Sequence, residues 1–129
     1  MGGAAMSTES IKKILIIDDC DNDSQIIKRC LQKEGYVEFD FAAMAEEGLQ
    51  KAAIFRPDIV ILDMALPDGD GFETCIRLKS IRGLELTVIL STGYSDVLSS
   101  VELAACSADG AVAKSTDCIA LIEAIKKLS

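Results

Sequence analysis

Histidine is absent from this chain of 129 residues, and so is tryptophan. Without histidine there is no imidazole general base, no imidazole zinc ligand and no phosphohistidine of its own. No apolar run approaches the ~20 residues that a membrane span needs, and the first ten residues, "MGGAAMSTES", lack the basic and apolar regions of a secretory signal. Residues 1–10 are read as a leader, disordered or vector-derived, and residues 11–129 as one domain. A soluble, cytoplasmic protein is expected, with no membrane partner. The five cysteines form no C-x-x-C pair and are odd in number, which fits reduced, packed thiols better than disulfides. Basic residues are short as well. Thirteen Lys and Arg face 21 Asp and Glu for a net charge of −8, which disfavours direct nucleic-acid binding by repulsion. Any chemistry therefore rests on carboxylates, hydroxyls and lysine.

Three short apolar runs are present: "ILII" at 14–17, "IVIL" at 59–62 and "LTVIL" at 86–90. Near-continuous hydrophobicity of this kind marks strands buried on both faces, as in a parallel sheet. "YVEFDF" at 36–41 alternates instead and suits a strand near an edge; "AVA" at 111–113 is a short fifth strand. Helical patterns fall between them: Ile26, Ile27, Cys30 and Leu31 ahead of Gly35; Leu49, Ala52 and Ala53; Phe72, Ile76 and Leu78; Leu98, Val101 and Leu103; and Ile119, Ile122, Ile125 and Leu128. Strands alternating with helices predict an α/β fold, a single doubly wound five-stranded parallel sheet whose ligands gather at the carboxyl ends of its strands.

The residues just beyond those ends are Asp18 and Asp19, Asp63, Thr92 and Lys114. Three carboxylates brought close together raise one another's pKa unless a cation compensates them. An all-oxygen donor set without His or Cys suits Mg²⁺, with Mn²⁺ as the alternative. A hydroxyl and an ammonium beside that ion complete a site for a phosphoryl group. The "LPDGDG" after Asp63 predicts a turn that leads the chain away and keeps the site open. Asp21 and Asp23 look like helix caps. The first strand–helix turn, "DDCDND", is acidic rather than glycine-rich, which excludes a nucleotide or flavin cradle.

Taken together, Asp18 and Asp19, Asp63 with "LPDGDG" behind it, "TG" at 92–93 and Lys114 resemble the response-regulator receiver domain of two-component signalling, over about residues 11 to 128. The resemblance implies the flavodoxin-like (βα)5 fold with strand order 2-1-3-4-5. It implies Asp63 as phosphoacceptor from a sensor histidine kinase or histidine phosphotransfer protein. It also implies Mg²⁺ on Asp18 (through water), Asp19, Asp63 and the Ala65 carbonyl, with Thr92 and Lys114 binding the phosphoryl oxygens. Gly93 fits the family's need for access to the acceptor. The expected protein is not an enzyme beyond phosphorylation and dephosphorylation of itself. Its downstream target is a protein not identified by the sequence, and homodimerisation on phosphorylation is one expected output.

Two positions depart from the family. Its usual aromatic switch residue, three before the lysine, is Ala111, and its proline after the lysine is Ser115, so the loop is expected to be trans or strained. Signalling is expected to pass instead through the loop from Tyr94 to Asp96. Two other functions compete. A degenerate receiver that only binds partners is suggested by Ala111 and Ser115; an aspartyl-phosphate hydrolase would need an acid at position 65, which is alanine.

Overall fold

The computed structural model describes residues 12–93 and 106–128. Five parallel strands form the sheet: β1 (Lys13–Ile17), β2 (Glu38–Ala42), β3 (Ile59–Asp63), β6 (Thr87–Thr92) and β7 (Gly110–Ala113). Between β3 and β6 lie two short antiparallel strands, β4 (Ala65–Leu66) and β5 (Gly69–Asp70). Four helices are described: α1 (Asp21–Lys33), α2 (Ala45–Phe55), α3 (Gly71–Lys79) and α4 (Ile119–Leu128). The strands run β2-β1-β3-β6-β7 across the sheet. With the small hairpin set aside, that is the expected 2-1-3-4-5 order. The helical pattern at 98–103 and the loop from Tyr94 to Asp96 lie outside the described residues.

Strand periodicity divides the core in two. Leu15, Ile17, Val60, Leu62, Val88 and Leu90 face one side, packed with Ala52 of α2 and with Cys75 and Leu78 of α3. Ile14, Ile16, Ile59, Ile61 and Ile89 face the other, packed with Ile27 and Leu31 of α1 and with Leu121 and Ile125 of α4. The three inner strands thus read as unbroken apolar runs because both of their faces are covered. β2, an edge strand, shows the expected relief: Glu38 is exposed and Phe39 and Phe41 are only half-buried. Gly35 ends α1 with φ of +100°, where its amide and that of Tyr36 close on Gln32 and Leu31.

Some helical faces are shifted from the pattern read in the sequence. In α4 the buried residues are Leu121 and Ile125, while Ile122 is half-buried and Ile119 is 56% exposed. In α2 they are Ala45, Gly48 and Ala52, and Ala53 faces outward. Gly48 lies close against β1, where a Cβ would stand 2.5 Å from Ile17 Cδ1 and oblige that side chain to shift. No helix among the described residues is long and apolar enough to cross a membrane.

Candidate phosphoacceptor site

The sheet ladder positions each candidate side chain. Asp18 sits one residue past β1, its amide donating to the Ala42 carbonyl at 2.9 Å. Asp63 closes β3 opposite Ser91 of β6, and the next amide, Met64, donates to the Ser91 carbonyl. Thr92 ends β6, and its carbonyl accepts from the Lys114 amide at 2.7 Å. Parallel strands end in register, so residues from four segments of the chain share one edge.

Three carboxylates and an ammonium meet there. Asp18 and Asp63 are buried and Asp19 is exposed, and one carboxylate oxygen from each lies within 4.8 Å of the others. Lys114 Nζ stands 2.8 Å from Asp18 Oδ2, 2.9 Å from Asp23 Oδ2 and 3.6 Å from Asp63 Oδ2. Ala65 is exposed, and its amide donates to Asp63 Oδ1 at 3.3 Å. Asp18 Oδ1 accepts from the Cys20 amide, which turns the chain into α1.

Electrostatics follow from this crowding. Burial pushes the Asp63 carboxyl above its ordinary 3.8; the Ala65 amide opposes this, the neighbouring Asp18 adds to it and Lys114 offsets it. Burial pulls the Lys114 ammonium down, but the Asp18 and Asp23 carboxylates outweigh it and hold its pKa above the ordinary 10.5.

Whether the residues present fit a divalent cation can be tested on Asp18. Its Oδ2 is buried and faces Lys114 at ion-pair distance, yet no donor is aligned with it as a hydrogen bond. One carboxylate oxygen each from Asp18, Asp19 and Asp63, all within 4.8 Å of one another and with no nitrogen or sulfur donor among them, is an all-oxygen set of the kind a hard cation takes. The residues fit Mg²⁺ or Mn²⁺.

Three contacts were not legible in the sequence as read. Asp23 is not a cap: the N-cap of α1 is Cys20, with no side-chain cap bond, and Asp23 pairs with Lys114, 91 residues away. Asp21 makes no cap bond either. Asp68, in the turn between β4 and β5, reaches α2 instead, where its two carboxylate oxygens accept from the amides of Ala45 at 2.6 Å and Glu46 at 3.0 Å. It supplies the cap that Met44, the N-cap residue, does not. Gly71 is the third. A Cβ there would lie 2.9 Å from the Met64 Cα, so glycine lets the start of α3 press against the residue after Asp63. Gly93 shows no such need, since a Cβ at that position would meet nothing within 4 Å among the described residues.

Both departure positions have structural accounts. Ala111 is half-buried against the core face that holds α2 and α3. No cis peptide occurs among the described residues, so Lys114–Ser115 is trans. The Ser115 hydroxyl donates to Asp117 and accepts from the Cys118 amide, and Asp117 accepts from the Ile119 amide. A cluster of short polar side chains thus shapes the entry to α4. Cys118 occupies the left-handed region, φ +54°, a conformation that costs a non-glycine residue about 1 kcal/mol or more.

Proteins of one family resemble this chain over most of its length. The response regulator receiver domain family matches residues 14–126, and the chain belongs to that family. Sporulation initiation phosphotransferase F of Bacillus subtilis is 38% identical over 89 residues, covering 67% of this chain and 68% of that protein. A protein-glutamate methylesterase/protein-glutamine glutaminase of Myxococcus xanthus is 36% identical over 104 residues, covering 78% of this chain but 30% of that protein. The first curated relatives are much longer, and the chain spans 28%, 30% and 23% of them. Among solved structures, response regulator TrrA of Thermotoga maritima, in complex with Mg²⁺ and BeF, superposes with a TM-score of 0.80 at 37% identity, over 92% of this chain and all of that one. A chemotaxis protein of Vibrio cholerae gives 0.82 at 26%, over 93% of this chain and all of that one. The chain is a receiver domain of the two-component response-regulator class, a module phosphorylated on aspartate in signal transduction.

Proposed function

We propose that Asp63 accepts a phosphoryl group from a histidine kinase or a histidine phosphotransfer protein, in a reaction that depends on Mg²⁺ at Asp18, Asp19, Asp63 and the Ala65 carbonyl. The observation that carries the reading is the burial of Asp63 at the end of β3, with Asp18 and Asp19 beside it and Lys114 Nζ 3.6 Å away. A carboxylate oxygen of Asp63 forms the new bond to phosphorus as the P–N bond of the donor phosphohistidine breaks, and the imidazole leaves with that electron pair and takes up a proton. When bound, magnesium supplies positive charge to the phosphoryl oxygens and offsets the three acids. Lys114 supplies a further positive charge, and the Thr92 hydroxyl donates to a phosphoryl oxygen once it is in place. Phosphorylation adds about 1.5 to 2 negative charges at one edge of the sheet, which draws Thr92 and Lys114 inward and changes the surface that a downstream protein reads. The chain's own chemistry is confined to its own aspartate.

Similarity to a phosphotransferase of sporulation and to a receiver crystallised with Mg²⁺ and BeF supports the reading. The test is intact-mass measurement after incubation with acetyl phosphate and Mg²⁺. A gain of one phosphoryl group that is lost in Asp63→Asn and on chelation is expected; a gain that survives the substitution overturns the assignment of Asp63.

A further inference from the structure

Lys114 is shared by three carboxylates, and its distances to them are unequal. Nζ lies 2.8 Å from Asp18 and 2.9 Å from Asp23, but 3.6 Å from Asp63, the residue beside which it would have to act. Asp18 and Asp63 end adjacent strands of the sheet. Asp23 does not; it projects from the first turn of α1, with its side chain 33% exposed, and forms a true hydrogen bond with Nζ. The bond joins the first turn of α1 to the residue that follows β7. Asp23 caps no helix, and its amide lies within a helix that begins at Asp21. Asp23 also borders a cavity of about 230 Å³ lined by the apolar Ile26, Val112 and Leu121 together with Ser91 and Ser115.

We infer that Asp23 is a positioning residue that holds the Lys114 ammonium back from Asp63 in the unphosphorylated chain, so that phosphoryl transfer must draw Lys114 out of this pair. The inference rests on the reading of Asp63 as acceptor. Lys114 contributes to transfer only to the extent that it stabilises the transition state more than the ground state. A ground-state bond to Asp23 that loosens as Nζ moves towards the incoming phosphoryl group subtracts from that difference. Asp23 therefore acts as a brake on the maximal rate, and it does so through Lys114 without touching the donor.

The test compares phosphorylation of the full chain by acetyl phosphate and Mg²⁺ in wild type, Asp23→Asn, Asp23→Glu and Asp21→Asn. Asp21 is exposed on the same helical turn and pairs with no lysine among the described residues, so its replacement makes the same charge change without the contact. Asp23→Asn is expected to raise the rate at saturating donor roughly threefold to tenfold, the weight of one partly buried charged hydrogen bond. Asp23→Glu, which can still reach Nζ, is expected to return most of the way to wild type. Asp21→Asn is expected to alter only the donor concentration needed for half-saturation, through long-range charge. If Asp23→Asn and Asp21→Asn give the same saturating rate, or if Asp23→Asn is slower than wild type, the brake does not exist. Failure of the underlying reading has a different signature: no variant, wild type included, gains mass in a manner that Asp63→Asn abolishes. Circular dichroism of Asp23→Asn and Asp23→Glu separates a lost fold from a changed rate.

Discussion

The Lys114 ammonium lies 2.8 Å from the buried carboxylate of Asp18, joining the chain just past the last strand of the sheet to the end of its second. It is the cation nearest the acids at this edge among the described residues, standing within 3.6 Å of Asp18, Asp23 and Asp63. Removing it leaves buried negative charge without compensation. Lys114→Ala is expected to abolish stable phosphorylation and to lower stability by roughly 1–3 kcal/mol at neutral pH. Added Mg²⁺ should restore part of that loss, which urea titrations with and without the metal would show. Equal stability of mutant and wild type without metal would mean that the ion pairs at this edge contribute nothing.

Asp63 carries a pH signature of its own. Burial raises its pKa above 3.8, against the opposing Ala65 amide. A carboxyl whose folded pKa is raised contributes its full stability below the unfolded value, and that contribution is lost as pH rises through the folded value. The contribution of Asp63 to the stability of the metal-free protein should therefore fall as pH climbs from about 3.8, and Asp63→Asn should lack this component. Thermal melts across the acid range in chelator would reveal it; identical pH profiles for the two proteins would refute it.

Asp68 has the opposite sign. The amides of Glu46 and Ala45 hold its carboxyl below the ordinary 3.8. Its contribution is present above the unfolded value and disappears as pH falls towards the folded one. Asp68→Ala should lower the urea midpoint at pH 7 and narrow its gap from wild type in strong acid. The same substitution should speed amide exchange at residues 45 and 46, the two amides it leaves without a partner.

Two glycines make a matched pair. Gly71→Ala brings a Cβ within 2.9 Å of the Met64 backbone, whereas Gly93→Ala meets open space among the described residues. The first should cost roughly 1–3 kcal/mol and slow phosphorylation by shifting the peptide beside Asp63. The second should leave the melting temperature nearly unchanged. Comparable losses from both would show that packing behind the acceptor is looser than the structure indicates.

Metal affinity separates Asp19 from its neighbours. It is the exposed member of the trio, so its replacement disturbs no core. Asp19→Asn should weaken Mg²⁺ binding roughly 10- to 100-fold by calorimetry while leaving thermal stability without metal nearly intact. Undiminished Mg²⁺ affinity would remove Asp19 from the ligand set.

The sequence was most readable where burial is two-sided. "ILII", "IVIL" and "LTVIL" became β1, β3 and β6 because a strand covered on both faces has no room for polar alternation. From their order followed the edge at which Asp18, Asp63 and Lys114 meet. Contacts made by long-range reach were not readable. No periodicity links Asp23 to Lys114 or Asp68 to Ala45, because each depends on how a helix end is placed against a distant loop. The β4–β5 hairpin is two residues on each side, too short for alternation to show. In α4 the apolar residues Ile119, Leu121, Ile122 and Ile125 are dense enough to fit two overlapping faces, and packing chose Leu121 with Ile125.

The segment from Asp63 to Gly71 is pinned at both ends and once in the middle. Ala65 is tied back to Asp63, Asp68 to the entrance of α2, and Gly71 to the Met64 carbonyl. Such a stretch behaves as a taut strap rather than a slack loop. Between the acceptor at 63 and the first turn of α2 there is then little slack, because Ala65 and Asp68 are both held and stand only three residues apart.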